Sequence, residues 1–170
     1  VGWLGPATKV QEELMGIPSF DTPDYSELFS EEKEMIGKLK KAFLMVAGGA
    51  VQKYGPDLDG HQQLLMAAAD ILIEIYMAES TILRTEKLAK TKGEDAVKEQ
   101  IAMAQLYLYK AVDIITQKGK EGIVSFAEGD EQRMMLMGLR RYTKYTNMPN
   151  VIGLREIITS KLVAENAYCF

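Results

Sequence analysis

Leu64-Leu65-Met66-Ala67-Ala68-Ala69-Asp70-Ile71-Leu72-Ile73-Glu74-Ile75-Tyr76-Met77-Ala78-Glu79-Ser80-Thr81-Ile82 is the stretch on which the reading of the fold turns. Within it Leu64, Ala68, Ile71, Ile75, Ala78 and Ile82 recur at alternating spacings of four and three. An α-helix gathers that alternation onto one face, and a strand does not. Asp59 opens this helix, with Gln62 placed to complete a capping box. No breaker follows before Gly93, so the helix is expected to run roughly 30 residues, with Gly93 as its C-cap.

The segments on either side repeat the pattern. Upstream, Met35, Leu39, Phe43, Val46 and Ala50 mark a helix that starts at Ser30 and ends near Tyr54, where Gly55-Pro56 stops it. The Ser30 hydroxyl is expected to cap it, and Glu31, Glu32 and Glu34 suit its positive end. Gly48-Gly49 inside it implies close approach of a neighbouring helix, the alternative being a local kink. Downstream, Val97, Ile101, Ala104, Leu108, Ala111 and Ile115 mark a helix from near Glu94. It is expected to pass through Gly119 and Gly122 to Phe126, at a cost of about 1 kcal/mol per interior glycine. Gly129-Asp130 turns the chain into a shorter helix over residues 131–145. Asn147-Met148-Pro149-Asn150 then leads to a last helix ending near Ala167, with Pro149 in its first turn.

No window alternates with period two, so no sheet is expected. The fold class is all-α: an antiparallel up-and-down bundle of about four to five helices over residues 30–170, crossing at shallow left-handed angles. Residues 1–29 read as a linking segment, with a short amphipathic helix over 7–15 and a loop punctuated by Pro18 and Pro23.

Composition sets the bounds on function. The 170 residues carry 20 basic and 24 acidic side chains and are 47% hydrophobic, which fits one domain with a sizeable core. A net charge of −4 gives no basic excess for binding nucleic acid. No apolar run approaches the roughly 20 residues of a membrane span. Cys169, the single cysteine, has no internal partner for a disulfide. The chain opens Val1-Gly2-Trp3-Leu4 without an initiator methionine, which reads either as processing of the start or as a piece cut from something longer.

Helical bundles of this size can hold a di-iron carboxylate centre, but that site needs a Glu-x-x-His motif on each of two helices. His61 is the one histidine and has no glutamate three residues before it; it reads as a surface residue. Zinc needs several Cys and His ligands, and the chain has two such residues in all. Haem on His61 has no support. No phosphate-loop, dinucleotide-binding or nucleophile-elbow motif is present. No metal-ligating, catalytic or cofactor-binding residue is therefore expected. Glu74, Glu79 and Glu86 lie on the longest helix, and Glu79 sits beside the apolar stripe. Glu79 is either a buried base with a raised pKa or a flank residue paired with Arg84 or Lys87. Met134, Met135 and Met137 fill the core or line an adaptable groove.

Charge is uneven. Residues 133–170 carry six basic and two acidic side chains, while residues 1–132 carry 14 basic and 22 acidic. Within that basic end, Arg140-Arg141-Tyr142-Thr143-Lys144-Tyr145 places three cations within about one helical turn. Arg140, Arg141 and Lys144 form a possible docking surface for an acidic protein face, a phosphate-bearing ligand or an anionic membrane. The structural alternative is a set of cations complementing a helix end.

Several stretches taken in order resemble one family. They are Leu4-Gly5-Pro6-Ala7, Glu12-Glu13-Leu14-Met15-Gly16-Ile17-Pro18-Ser19-Phe20, Lys41-Ala42-Phe43-Leu44-Met45-Val46-Ala47-Gly48-Gly49-Ala50 and Ala69-Asp70-Ile71-Leu72-Ile73-Glu74-Ile75-Tyr76-Met77-Ala78-Glu79-Ser80. Thr81-Ile82-Leu83-Arg84-Thr85-Glu86-Lys87 and Leu139-Arg140-Arg141-Tyr142-Thr143-Lys144-Tyr145 complete the set. Together they resemble the C-terminal helical domain of the long, very-long-chain-like acyl-CoA dehydrogenases of bacterial type. The resemblance implies a parent enzyme of fatty acid β-oxidation. That parent uses FAD to oxidise an acyl-CoA to the trans-2-enoyl product, and a glutamate in a Tyr-Glu-Gly-Thr-Asn-Glu motif removes the α-proton.

That motif is absent here, and the resemblance places it upstream, so no catalytic residue carries over and no FAD is expected on this segment. It further implies a domain that packs on the upstream dehydrogenase domains of the same polypeptide and sets its assembly, in a homo-oligomeric cytoplasmic protein. The inner-membrane attachment of mitochondrial relatives is not carried over, and neither a transmembrane segment nor a nucleic-acid partner is expected. The alternative is a stand-alone helical protein-interaction adaptor; a third reading is an enzyme using Glu79.

Overall fold

A computed structural model describes residues 4–16 and 25–169. The loop expected over 16–24 lies, from residue 17 on, outside the described residues, as does Trp3. Among the described residues there are six α-helices and no strand: α1 (Leu4–Met15), α2 (Ser30–Tyr54), α3 (Gln62–Lys92), α4 (Lys98–Phe126), α5 (Gly129–Tyr142) and α6 (Val151–Glu165). Short 3₁₀ turns at Gly55–Gly60 and Asp95–Val97 precede α3 and α4. Five helices are those expected over residues 30–170, and α1 is the short helix ahead of them.

Cross-helix pairs fix the directions. Lys33 meets Glu86 and Lys40 meets Glu79, so α2 and α3 run antiparallel. Asp70 meets Lys118 and Glu74 meets Tyr107, so α3 and α4 do too. Gln105 meets Glu32 and Gly122 faces Val46, which sets α4 parallel to α2. Gly49 faces Met135 and Gly138 faces Met45, which turns α5 antiparallel to α2. The result is the up-and-down bundle that the stripes imply, with its longest interface between α3 and α4. α1 packs on α2 through buried Ala7 and Val10, and α6 lies on α4.

The stripes supply the core. Leu39, Val46, Ile71, Ile82, Leu108, Ile115, Ile123 and Leu139 are withdrawn almost completely from solvent. Near the start of α3 the buried alanine is Ala67, not Ala68, one residue from the expected place. Several ends differ from expectation. Ser30 does not cap α2: Phe29 precedes the helix with φ 64°, and the Ser30 hydroxyl donates to the Glu27 carbonyl at 2.8 Å. No capping box forms at Asp59, because the 3₁₀ turn delays α3 to Gln62. His61 stacks instead on Tyr54, ring centroids 3.5 Å apart. Pro149 precedes α6, and Asn150 caps it by accepting from the Gly153 N–H at 3.1 Å. Gly93 ends α3 as expected, at φ 86°, a conformation that costs a residue with a Cβ.

Glycines inside α2, α4 and α5 mark close approaches. A Cβ on Gly48 would lie 2.7 Å from the Ala7 Cβ, and one on Gly49 2.8 Å from Met135 Cε and from the Phe126 ring. A Cβ on Gly119 would meet Leu139 at 2.7 Å, and one on Gly138 would meet Leu14 at 2.8 Å. Close packing, and not a kink, explains Gly48-Gly49.

Ion pairs tie both flanks of α3. On the α4 side Lys118 lies 3.2 Å from Asp70, and the Tyr107 hydroxyl donates to Glu74 at 2.9 Å. On the α2 side Lys40 holds Glu79 at 2.6 Å, and Glu86 sits between Lys33 at 2.8 Å and Lys90 at 2.9 Å. The hydrogen bond from Lys33, then that from Lys90, holds the Glu86 carboxyl below its ordinary value of 4.5.

Two tests follow from the packing and the flanks. Gly37 has open space around it, so Gly37→Ala is expected to stabilise the chain by about 0.5–1 kcal/mol through helix propensity. Gly49→Ala gains the same propensity but must displace the Phe126 ring, and is expected to lose about 1–3 kcal/mol. Chemical denaturation of both variants checks this, and equal effects would refute the close-approach account. Because Glu86 is held below its unfolded value, its contribution is complete above 4.5 and is lost as pH falls through the lowered folded value. The denaturation-midpoint gap between the chain and Glu86→Gln is therefore expected to be constant near neutral pH and to close on acidification. A gap indifferent to pH would remove the ion-pair explanation.

Candidate functional site

The basic end is split by the structure. Arg140 and Arg141 occupy the last turn of α5, which ends at Tyr142, so Lys144 lies beyond the helix. The Thr143 hydroxyl donates back to the Leu139 carbonyl at 2.9 Å. Arg140 and Lys144 are exposed and Arg141 is half-buried. None of the three carries a salt bridge among the described residues, although Arg133 before them and Lys161 on α6 do.

The interleaved tyrosines turn inward. Tyr142 is buried, and burial, followed by the Glu13 charge, pushes its hydroxyl up to about 12. The Tyr145 ring stacks with Tyr109 at 6.3 Å, and burial raises its hydroxyl as well. Neither hydroxyl has a hydrogen-bond partner among the described residues. The cations thus stand outside and the rings inside. The patch can attract an anionic surface, but it offers no aromatic ring for stacking.

Next to Tyr145 the wall is acidic. A cavity of about 150 Å³ is lined by Glu31, Glu32, Gln105, Tyr145 and Asn147 among others. Asn147 donates its backbone N–H to Glu31 at 2.8 Å, and Gln105 donates its amide to Glu32 at 2.7 Å. The first contact holds the α5–α6 connection against the start of α2, and the second ties α4 to it.

Glu79 is not a buried base. Its carboxylate lies on the flank, 38% exposed, engaged with Lys40 and not with Arg84 or Lys87. Tyr107 is pushed up to about 12, by burial first and by Glu74 second, and Glu74 accepts its hydrogen bond. No group of three His, Cys, Asp or Glu side chains among the described residues is placed to share a metal ion. No described helix is long and apolar enough to cross a membrane.

The methionines divide: Met135 is in the core at 2% exposure, while Met134 and Met137 face solvent. The larger apolar surface is elsewhere and was not read from the sequence. Leu65, Met66, Leu72, Ile73, Tyr76, Met77 and Leu83 form an exposed stripe along the outer side of α3. Its signal is the same spacing rule displaced by half a turn from the buried stripe. Near its start, a cavity of about 320 Å³ between α2 and α3 is walled by Phe43, Leu44, Val51, Leu58 and Leu65, almost without polar surface. A wider cleft of about 1000 Å³ separates α4 from α6, with Lys98, Glu99, Asn150 and Lys161 on its walls.

Comparison with known proteins supplies the context for these surfaces. The model of the acyl-CoA dehydrogenase C-terminal domain matches residues 38–141. A probable acyl-CoA dehydrogenase of Bacillus subtilis (strain 168) is 36% identical over 159 residues, covering 94% of this chain and 26% of that protein. The crystal structure of an acyl-CoA dehydrogenase complexed with FAD from Bacillus anthracis superposes on the whole chain with a TM-score of 0.88 at 36% identity, using 28% of its own length. The chain thus spans about a quarter of the length of the relatives it matches. With the family model and this fold in agreement, the chain belongs to the acyl-CoA dehydrogenase C-terminal domain family.

Proposed function

We propose that this chain is a non-catalytic helical domain of a longer FAD-dependent acyl-CoA dehydrogenase, one that packs on the dehydrogenase domains and sets how they assemble. The parent would oxidise an acyl-CoA thioester to the trans-2-enoyl-CoA, as a cytoplasmic homo-oligomer. The observation that carries this reading is the likeness over the entire fold to a quarter of an FAD-complexed dehydrogenase.

The chemistry of the segment supports a mechanical role. Its carboxylates on α3 are committed to lysines or a tyrosine. A flavin dinucleotide needs an apolar slot beside donors for its pyrophosphate. The apolar α2–α3 cavity has almost no polar lining, and Arg140, Arg141 and Lys144 stand at an exposed helix end. Neither of these two places joins an apolar slot to phosphate donors, which supports a segment that holds no flavin. Arg140, Arg141 and Lys144 serve, in this reading, as a secondary contact with an acidic face. The exposed apolar stripe favours one rival, a stand-alone adaptor that binds a partner protein.

The intact polypeptide that carries this segment tests the proposal. It is expected to be yellow, to contain FAD and to form the 2-enoyl product from an acyl-CoA, whereas the 170-residue chain binds no flavin. In the intact protein Glu79→Gln is expected to keep kcat/KM within about threefold of the parent, since a lost catalytic base costs about 100-fold or more. Flavin held by the 170-residue chain alone, or a 100-fold loss in Glu79→Gln, would overturn the non-catalytic assignment. An intact protein with no flavin and no dehydrogenation would leave the adaptor.

A further inference from the structure

α3 is apolar on two opposite sides. Its inner side, Leu64, Ala67, Ile71, Ile75, Ala78 and Ile82, is spent on the bundle core. At about 100° per residue, Leu65, Leu72, Tyr76 and Leu83 line up on the far side, with Met66, Ile73 and Met77 beside them. Exposure runs from 38% at Leu65 to 67% at Tyr76. From Leu65 to Leu83 the stripe is about 27 Å long. Its seven large side chains expose on the order of 700 Å², more than a monomeric soluble protein ordinarily shows in one patch and close to one partner's share of a standard interface. Ion pairs to α2 and α4 fix both flanks, so the helix cannot roll this face inward.

We propose that the outer face of α3 is the seat on which the remainder of the same polypeptide, the dehydrogenase body, docks. This inference rests on the reading above, that the segment belongs to a longer dehydrogenase. Three observations favour that occupant over others. The relatives are about four times as long as this chain, so a large body is tethered beside the face. A tethered partner acts at an effective concentration that a free second copy does not reach. Along the stripe the helix carries Asp70, Glu74 and Glu79, and its basic residues Arg84, Lys87, Lys90 and Lys92 are confined to the end beyond Leu83, unlike the basic flanks that run the length of an amphipathic helix held on an anionic bilayer. The apolar cavity beside Leu65 gives the docking body a place to insert a side chain, which fixes the register of the seat.

Methionine oxidation in the intact, flavin-loaded polypeptide tests this, with a free methionine derivative in the same solution as the reference. Oxidation follows exposure, so the uncovered fractions of 58% at Met66 and 45% at Met77 would give rates within about threefold of the reference. A docked face is expected to slow both by about tenfold or more, and Ile73→Glu is expected to restore the fast rates while flavin is retained. Unprotected Met66 and Met77 in an enzyme that holds flavin and turns over would overturn the docking inference and leave the reading of the parent intact. Absence of flavin and turnover would defeat that reading itself. Protection lost on dilution to the monomer would give the face to a second copy, and protection seen only with vesicles of anionic phospholipid would give it to a membrane; either result would overturn the proposal.

Discussion

Glycines that seat a neighbouring helix's side chain directly against their own backbone set the geometry of this bundle. Gly48, Gly49, Gly119, Gly122 and Gly138 lie inside helices, where a glycine costs about 1 kcal/mol against alanine, and each faces a neighbour that leaves no ordinary room for a methyl group. α2 carries two of them and is the hub: Gly48 admits α1, and Gly49 admits Met135 of α5 together with the Phe126 ring from the end of α4. Gly119 and Gly122 let α4 receive Leu139 from α5 and Val46 from α2. The propensity lost is offset by dispersion contacts between closely approached helices, which fall off steeply with a gap. That exchange makes the positions of α1 and α5 on α2 specific, where leucine ridges alone would permit sliding.

α3 is bound by a different logic. It has no interior glycine and meets its neighbours through side chains. Its inner stripe is apolar, its two flanks are acidic, and lysines or a tyrosine on α2 and α4 answer those acids. Exposed pairs of this kind contribute little to stability singly. Their effect here is rotational: with acids on both flanks held by different helices, the outer apolar stripe stays outward. A helix that had only its core stripe to satisfy would carry polar residues on that side, and the seven large apolar side chains there do not help this chain fold.

Much of this was legible in the sequence, because the buried stripes obey the period that burial imposes. Leu64, Ile71, Ile75, Ala78 and Ile82 were readable as core for that reason, and Gly93 as a helix end because a positive φ needs it. The starts of helices were read less well. Ser30 and Asp59 have the right chemistry for caps, but Phe29 and the 3₁₀ turn at Gly55–Gly60 take those places, a tertiary choice that local chemistry does not encode. The ion-pair partners of Glu79 were missed for a related reason. Arg84 and Lys87 are near in sequence, whereas Lys40 is near only once α2 and α3 lie antiparallel. The outer stripe of α3 obeys the same period as the inner one, and period alone does not say that both faces of one helix are apolar by need. The basic end is legible in the sequence, whereas the direction of its tyrosines is not, since burial of Tyr142 depends on where α5 packs.

The distribution of buried contact also grades the molecule by stability. α2 to α5 share the continuous core, whereas none of the residues of α6 is buried and its apolar side chains Ile152, Ile157, Leu162 and Val163 face water. α6 is held by α4, by the Asn150 cap and by the Asn147–Glu31 bonds ahead of it. Elements with few buried apolar contacts open at lower free energy than the core they rest on. The α4–α6 cleft therefore belongs to the part of the chain most easily reshaped by a neighbour, while α3 presents its stripe from the part least easily deformed. A rigid apolar seat avoids the ordering cost that a flexible one would add on association, which is the physical reason to look for the principal contact on α3 and for adjustable ones at α6 and the basic end.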